Sequence, residues 1–148
     1  MTEESPLQGA VFVIEVADRP GVVHSIAAVF AHRGLSIESF VAETGRERPR
    51  VLVVFRGTAR HCRIVEQVLA RLHHVLSVRT LPTDSAELRA LAFCHIKGNL
   101  PAFPAVTQQS LAPDRALLIG SYAAVENAVA ELRREGSVSE VSRSLVAS

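Results

Sequence analysis

Two stretches of this chain repeat one another, and that repeat limits the available folds more than any other feature. Residues 50–81, RVLVVFRGTARHCRIVEQVLARLHHVLSVRTL, line up with residues 115–145, RALLIGSYAAVENAVAELRREGSVSEVSRSL, at an offset of roughly 64 positions with small gaps. Each copy reads strand–helix–strand. In the first, Ile64, Val65, Val68, Leu69 and Leu72 make an apolar helical stripe with charges opposite; in the second, Val125, Ala128, Val129 and Leu132 do the same. A chain of 148 residues built on such a repeat is two small modules rather than one ordinary domain.

The segments ahead of each copy complete the modules unequally. Residues 10–17, AVFVIEVA, read as a β-branched strand. Residues 22–33 carry Val22, Val23, Ile26, Ala27, Val29 and Phe30 at helical spacing, with Gly34 as the stop. LSIESFVAE (35–43) is a second strand, TGRERP a turn and RVLVVFR (50–56) a third strand, followed by a helix over 59–73 and a strand over 75–81. The order βαββαβ is the ferredoxin-like arrangement, an α+β fold. The second module has strands at 88–96 and near 105–111, but KGNLPAFP between them is too short and too rich in Pro and Gly for a long helix. It reads as a truncated ferredoxin-like module that has lost its first helix. The expected layout is a flexible N-terminus over 1–9, a first module over 10–81, a linker (PTDSAE) over 82–87 and a second module over 88–148.

The first-module strands are apolar on both faces. Phe12, Ile14 and Val16 alternate with Val11 and Val13, and Val51, Val53 and Phe55 with Leu52 and Val54. Two helices cover one face of a four-stranded sheet, so the second module or another subunit is expected to cover the other.

Composition removes several function classes. Sixteen Lys and Arg nearly balance 15 Asp and Glu, leaving no field of one sign for a polyanion. RVLVVFR also lacks the stacked aromatics of an RNA-binding sheet, so no nucleic-acid partner is expected. No stretch is long enough to span a membrane, and the acidic, polar start MTEESPLQGA does not read as a leader. Cys62 and Cys94 read as reduced thiols, which points to the cytoplasm. The six histidines include no set with ligand spacing, so no metal is expected; nor does any acid/base pair, nucleophile set or cofactor loop stand out. GRERPR (45–50) is a basic hairpin tip.

The stretch EVADRPGVVHSIAAVFAHRGLSIESF (15–40) holds the sharpest punctuation in the chain. A strand feeds through Asp18-Arg19-Pro20-Gly21 directly into a helix N-terminus, where unpaired N–H groups attract an anion. Pro20 pre-sets φ and Gly21 lets a ligand come close to the backbone. Amides near Gly21 and Val22 suit a carboxylate, and Asp18 suits an ammonium, which together describe a free amino acid. Spacing alone equally allows Asp18 merely to cap the helix.

These residues resemble the ACT domain, and more closely the small regulatory subunit of acetolactate synthase. That signature is a strand ending in a short loop before Pro-Gly, an apolar helix and R-G-[YF]-N-I-E-S; here it is ADRPGVVHSIAAVFAHRGLSIESF, with VEQVLARLHHVLSVRTL matching the second helix and fourth strand. The similarity is clear from about residue 10 to 81 and continues more weakly to the end. It implies that two ACT domains pair, with a feedback ligand, commonly valine, at the interface. Asp18, Gly21 and Val22 of one chain and Ser36 and Ile37 of the other match the ligand positions. Ser36 stands where the family usually has Asn, and Asp18 where Asn is frequent; Ser is short, and ionised Asp only accepts.

The resemblance thus implies a non-catalytic regulatory subunit, without a cofactor of its own, forming a homodimer through its ACT domains. It would activate the large catalytic subunit of a thiamine-diphosphate enzyme and respond to valine, leucine or isoleucine. The alternative is a free-standing ACT sensor or accessory protein of a different enzyme.

Overall fold

The structure, a computed structural model, describes residues 7–148. The first six residues of the expected flexible terminus lie outside that range. The elements run β1 (Gln8–Val16), α1 (Val22–Ala31), β2 (Ile37–Glu43), β3 (Arg50–Gly57), α2 (Ala59–Ala70), β4 (Val75–Pro82), β5 (Leu88–Ile96), β6 (Val106–Ala112), β7 (Arg115–Ser121), α3 (Tyr122–Arg134) and β8 (Val138–Ala147). They form two compact units that divide between Thr83 and Asp84. Each holds one antiparallel four-stranded sheet, in order β2-β3-β1-β4 and β6-β7-β5-β8. Both are ferredoxin-like and the class is α+β, as the repeat requires.

In the first unit, α1 and α2 lay Ile26, Val29, Phe30, Val65 and Leu69 on the sheet face made by Phe12, Ile14, Val51, Val53 and Phe55. Three rings centre this core. Phe12 stacks on Phe55 with centroids 5.5 Å apart, and the Phe30 edge meets Phe55 at 5.4 Å. Such offset and edge contacts match the ring quadrupoles and add to the burial energy. On the opposite face Val11, Val13, Leu52 and Val54 are at most 3% exposed. The helices begin differently. Thr58 Oγ1 accepts from His61 N–H and caps α2, whereas Gly21, at the start of α1, sits at φ 87° with no side-chain cap.

In the second unit, α3 is capped by Ser121, whose hydroxyl accepts from Ala124 N–H. It packs Val125, Ala128, Val129 and Leu132 on Ala90, Ala92, Cys94, Ala116 and Leu118. No helix joins β5 to β6, as KGNLPAFP leads one to expect. Instead Leu100 and Phe103 of the connecting loop pack against the same core. Gln108 holds that loop down: its Oε1 accepts from Phe103 N–H at 3.2 Å and its Nε2 donates to Pro101 O at 2.7 Å. A side-chain amide thus satisfies backbone groups that a helix would have satisfied internally.

Gly57 ends β3 beneath the aromatic cluster. A Cβ there would lie 2.6 Å from the Phe55 ring, and that ring is wedged between Phe12 and Phe30. Gly57→Ala is therefore expected to lower stability by about 1–3 kcal/mol through overpacking. Thermal melts should show a Tm lower by several degrees; an unchanged Tm would mean that the ring stack yields freely.

Candidate functional site

The loop between β1 and α1 is pinned at its entry by two backbone hydrogen bonds. Val16 N–H donates to Pro49 O at 3.0 Å, and Ala17 N–H to His74 O at 2.8 Å. To present that carbonyl, His74 adopts φ 71°, the one positive φ outside glycine among the described residues. The loop then turns at Gly21. Val22 N–H closes on Arg19 O at 3.4 Å, while Ser25 donates both its N–H and its hydroxyl to Gly21 O at 3.0 Å each.

The Gly21, Val23 and His24 N–H groups have no protein acceptor among the described residues. Gly21 is exposed and a Cβ built there meets nothing within 4 Å, so the approach to these amides is open. The left-handed φ is what demands glycine. Asp18 is exposed and does not cap α1, so it plays no capping role there. Val22 itself is buried in the core. The opening therefore offers unpaired donors, a helix N-terminus and one carboxylate, the elements that suit a zwitterion.

Ser36 is exposed just before β2, and Ile37 begins that strand half-buried. Cross-strand register puts Ile37 opposite Phe55, and Phe55 opposite Ala10, six residues before the end of β1. At ~3.3 Å per residue, Ser36 and Ile37 sit about 20 Å along the sheet from the Asp18–Gly21 loop. A single chain brings Asp18, Gly21 and Val22 together but leaves Ser36 and Ile37 at the other end.

The basic hairpin tip folds back on the chain's own carboxylates. Arg46 pairs with Glu43 at 3.0 Å, Arg48 with Glu15 at 3.6 Å, and Arg50, 6% exposed, with Glu43 at 3.1 Å. Burial pushes the Glu43 carboxyl up, but hydrogen bonds and charge from Arg46 and Arg50 outweigh that and hold it below its ordinary value. Cys62 and Cys94 are buried, and burial pushes both thiols up, away from nucleophilic thiolate. Among the described residues no three His, Cys, Asp or Glu side chains gather as metal ligands, and no helix is long and apolar enough to cross a membrane.

Sequence reasoning missed His73 and His74 as parts of this site. Their rings lie 3.8 Å apart, and the His74 imidazole is held below its ordinary pKa by desolvation, then by the charges of His73 and Arg19. The only trace in the sequence is a break between helix and strand with no glycine to take the left-handed turn.

Residues 10–76 match the ACT domain family. ACT domains are regulatory modules, and the ferredoxin-like first unit has the corresponding fold. The chain is similar in fold to the acetolactate synthase small subunit of Thermotoga maritima, at 19% identity and a TM-score of 0.63, covering 95% of this chain and 96% of that one. A further likeness is to the regulatory subunit of aspartate kinase from Thermus thermophilus, at 15% identity and a TM-score of 0.48, covering 87% and 94% of the two chains. No curated protein matches the sequence.

The lowered His74 pKa sets a pH dependence. The folded state favours the neutral ring, so its contribution is complete above the unfolded imidazole value of about 6.5 and is lost as pH falls through the lowered folded value. Melts across that window should show Tm falling toward acid. His74→Gly should flatten the fall and raise Tm, since glycine accepts the left-handed φ without strain. A fall of the same size in His74→Gly would assign it to other groups.

Proposed function

We propose that this chain is a non-catalytic regulatory subunit of the acetolactate synthase type, sensing a branched-chain amino acid where two ACT domains meet. The observation that carries this reading is the open α1 N-terminus: three N–H groups without acceptors among the described residues, reached past a left-handed glycine, beside the exposed Asp18. The ligand carboxylate lies on those amides and its ammonium faces Asp18. Val23 and Ile37 supply apolar surroundings for a valine, leucine or isoleucine side chain, with Val22 buried in the core beneath.

A second copy completes the site. β2 is an edge strand, and antiparallel pairing of β2 with its counterpart brings the start of one strand toward the end of the other. Ser36 and Ile37 of the second copy then approach the loop of the first, which agrees with the separation of the two half-sites within one chain. The two-module fold also extends over 96% of the Thermotoga small subunit, so the short second module is in keeping with that architecture. A different enzyme partner is the second reading, favoured by Ser36 where the resembling family has Asn.

Amino-acid binding is tested by thermal shift at saturating valine, leucine and isoleucine. A ligand at about a hundred times its Kd stabilises by about 2.7 kcal/mol and raises Tm by several degrees, and Asp18→Ala should abolish the shift. No response to any amino acid would leave the ACT domain a structural module. Co-purification with the catalytic subunit, followed by turnover assays with and without valine, tests the partner. The chain alone should form no acetolactate; added to its partner it should raise turnover by favouring the active form. By linkage, an inhibitory amino acid and the activating association weaken each other by the same factor. Failure to associate or to alter turnover would move the assignment to another enzyme.

A further inference from the structure

The two units share a backbone frame that permits comparison residue by residue. Val16 N–H donates to Pro49 O and Ile96 N–H to Asp114 O; Ala17 N–H donates to His74 O and Lys97 N–H to Ser137 O. The register shifts after Glu15 in the first sheet and after His95 in the second. Arg115 thus occupies in the second unit the place of Arg50 in the first.

The surroundings of these two arginines differ in burial and in charge: Arg50 is 6% exposed, whereas Arg115 is exposed. Arg50 has Glu15 and Glu43 as its cross-strand neighbours, and it donates to the Glu43 carboxylate at 3.1 and 3.5 Å. Arg115 has His95 and Ala112 instead. Both carboxylates are gone, and the Arg115 side chain has no ion pair or hydrogen-bond partner among the described residues. Asp114, beside it in the chain, is exposed and does not pair with it.

Ala112 leaves space as well as charge. A cleft of about 150 Å³ opens there, bounded by Gly98, Asn99, Ser110, Ala112 and Arg115 over an apolar floor that includes Ile96. Gly98, at φ 80°, turns the loop without a side chain in the way. The Asn99 side chain also has no hydrogen-bond partner among the described residues. In the first unit the attraction for an anion at this end of the sheet comes from the N-terminus of α1; the second unit has no such helix and carries an exposed guanidinium with no partner among the described residues.

We propose that this cleft is a second binding site, for a small carboxylate of the size of acetate or glycine. The bound carboxylate stands in for the missing Glu43-type partner: the Arg115 guanidinium donates to its oxygens, and the Asn99 side-chain NH₂ supplies a further donor. The cleft is open to solvent and seats a carboxylate and the few atoms next to it, and the apolar floor accepts its carbon end. The site lies entirely in the second unit and is separate from the amino-acid site of the ACT domain.

Amide NMR titration of the full chain with sodium acetate and with glycine tests this, with sodium chloride as the ionic-strength control. Saturable shifts are expected at Gly98, Asn99, Ala112 and Arg115 with the carboxylates and not with chloride. Arg115→Ala should weaken binding about tenfold or more, the loss of one charge-assisted contact. Ala112→Glu, which rebuilds the Arg50–Glu43 pairing, should fill the guanidinium from within and weaken binding similarly with the remaining spectrum unchanged. The absence of saturable shifts, shifts matched by chloride, or parental affinity in either variant would overturn the site. Gly21 and Val22 amides report the first site in the same spectra, so the two proposals fail separately.

Discussion

The end of the first strand in each unit is held by two backbone hydrogen bonds, and the functional features depend on them. Val16 and Ala17 donate to the β2–β3 loop and to the turn before β4; Ile96 and Lys97 donate to the equivalent places. Buried or crowded backbone groups must find partners, and here they find them in segments remote in sequence. The connection that follows each strand therefore leaves the sheet at a fixed point and in a fixed direction. In the first unit the cost is a non-glycine residue, His74, in the left-handed region. Strain of that kind persists only where surrounding contacts over-determine it.

From that common exit the two units diverge. The first launches α1 at Gly21 and exposes the helix N-terminus; the second lays down a loop that Leu100, Phe103 and Gln108 fasten to the core. The hydrophobic requirement is the same in both, to cover the apolar sheet face, and a helix and a Pro-rich loop both meet it. What changes is the polar consequence. A helix supplies its own backbone partners and leaves donors at its start, whereas a loop needs a side chain such as Gln108 to satisfy it. The Arg50 and Arg115 positions follow the same logic: one register, opposite charge balance.

Strand direction governs the proposed amino-acid site. β1 and β2 run the same way on either side of β3, so the end of one and the start of the other are separated by most of the sheet length. Residues of the first loop and of Ser36–Ile37 meet around one ligand only if a second copy brings them together. The proposed homodimer rests on this separation and on the edge position of β2 among the described residues.

The order of elements, the α+β class and the missing helix were all legible in the chain, because hydrophobic period and Pro/Gly placement are local properties that no tertiary context had to supply. The Asp18–Gly21 loop was equally visible from its punctuation. The capping role of Asp18 was not decidable from spacing, since a cap depends on where the carboxylate points; the folded loop turns it to solvent. His74 escaped notice because its part is played by a carbonyl, which every residue has. Arg115 escaped because its character lies in its cross-strand neighbours, His95 and Ala112, which register alone selects. Local sequence thus determined which elements form and where the chain turns. Tertiary structure decided which carbonyl pins the loop and, among the described residues, which amides stay open and which arginine lacks a carboxylate, since each depends on contacts between residues far apart in the chain.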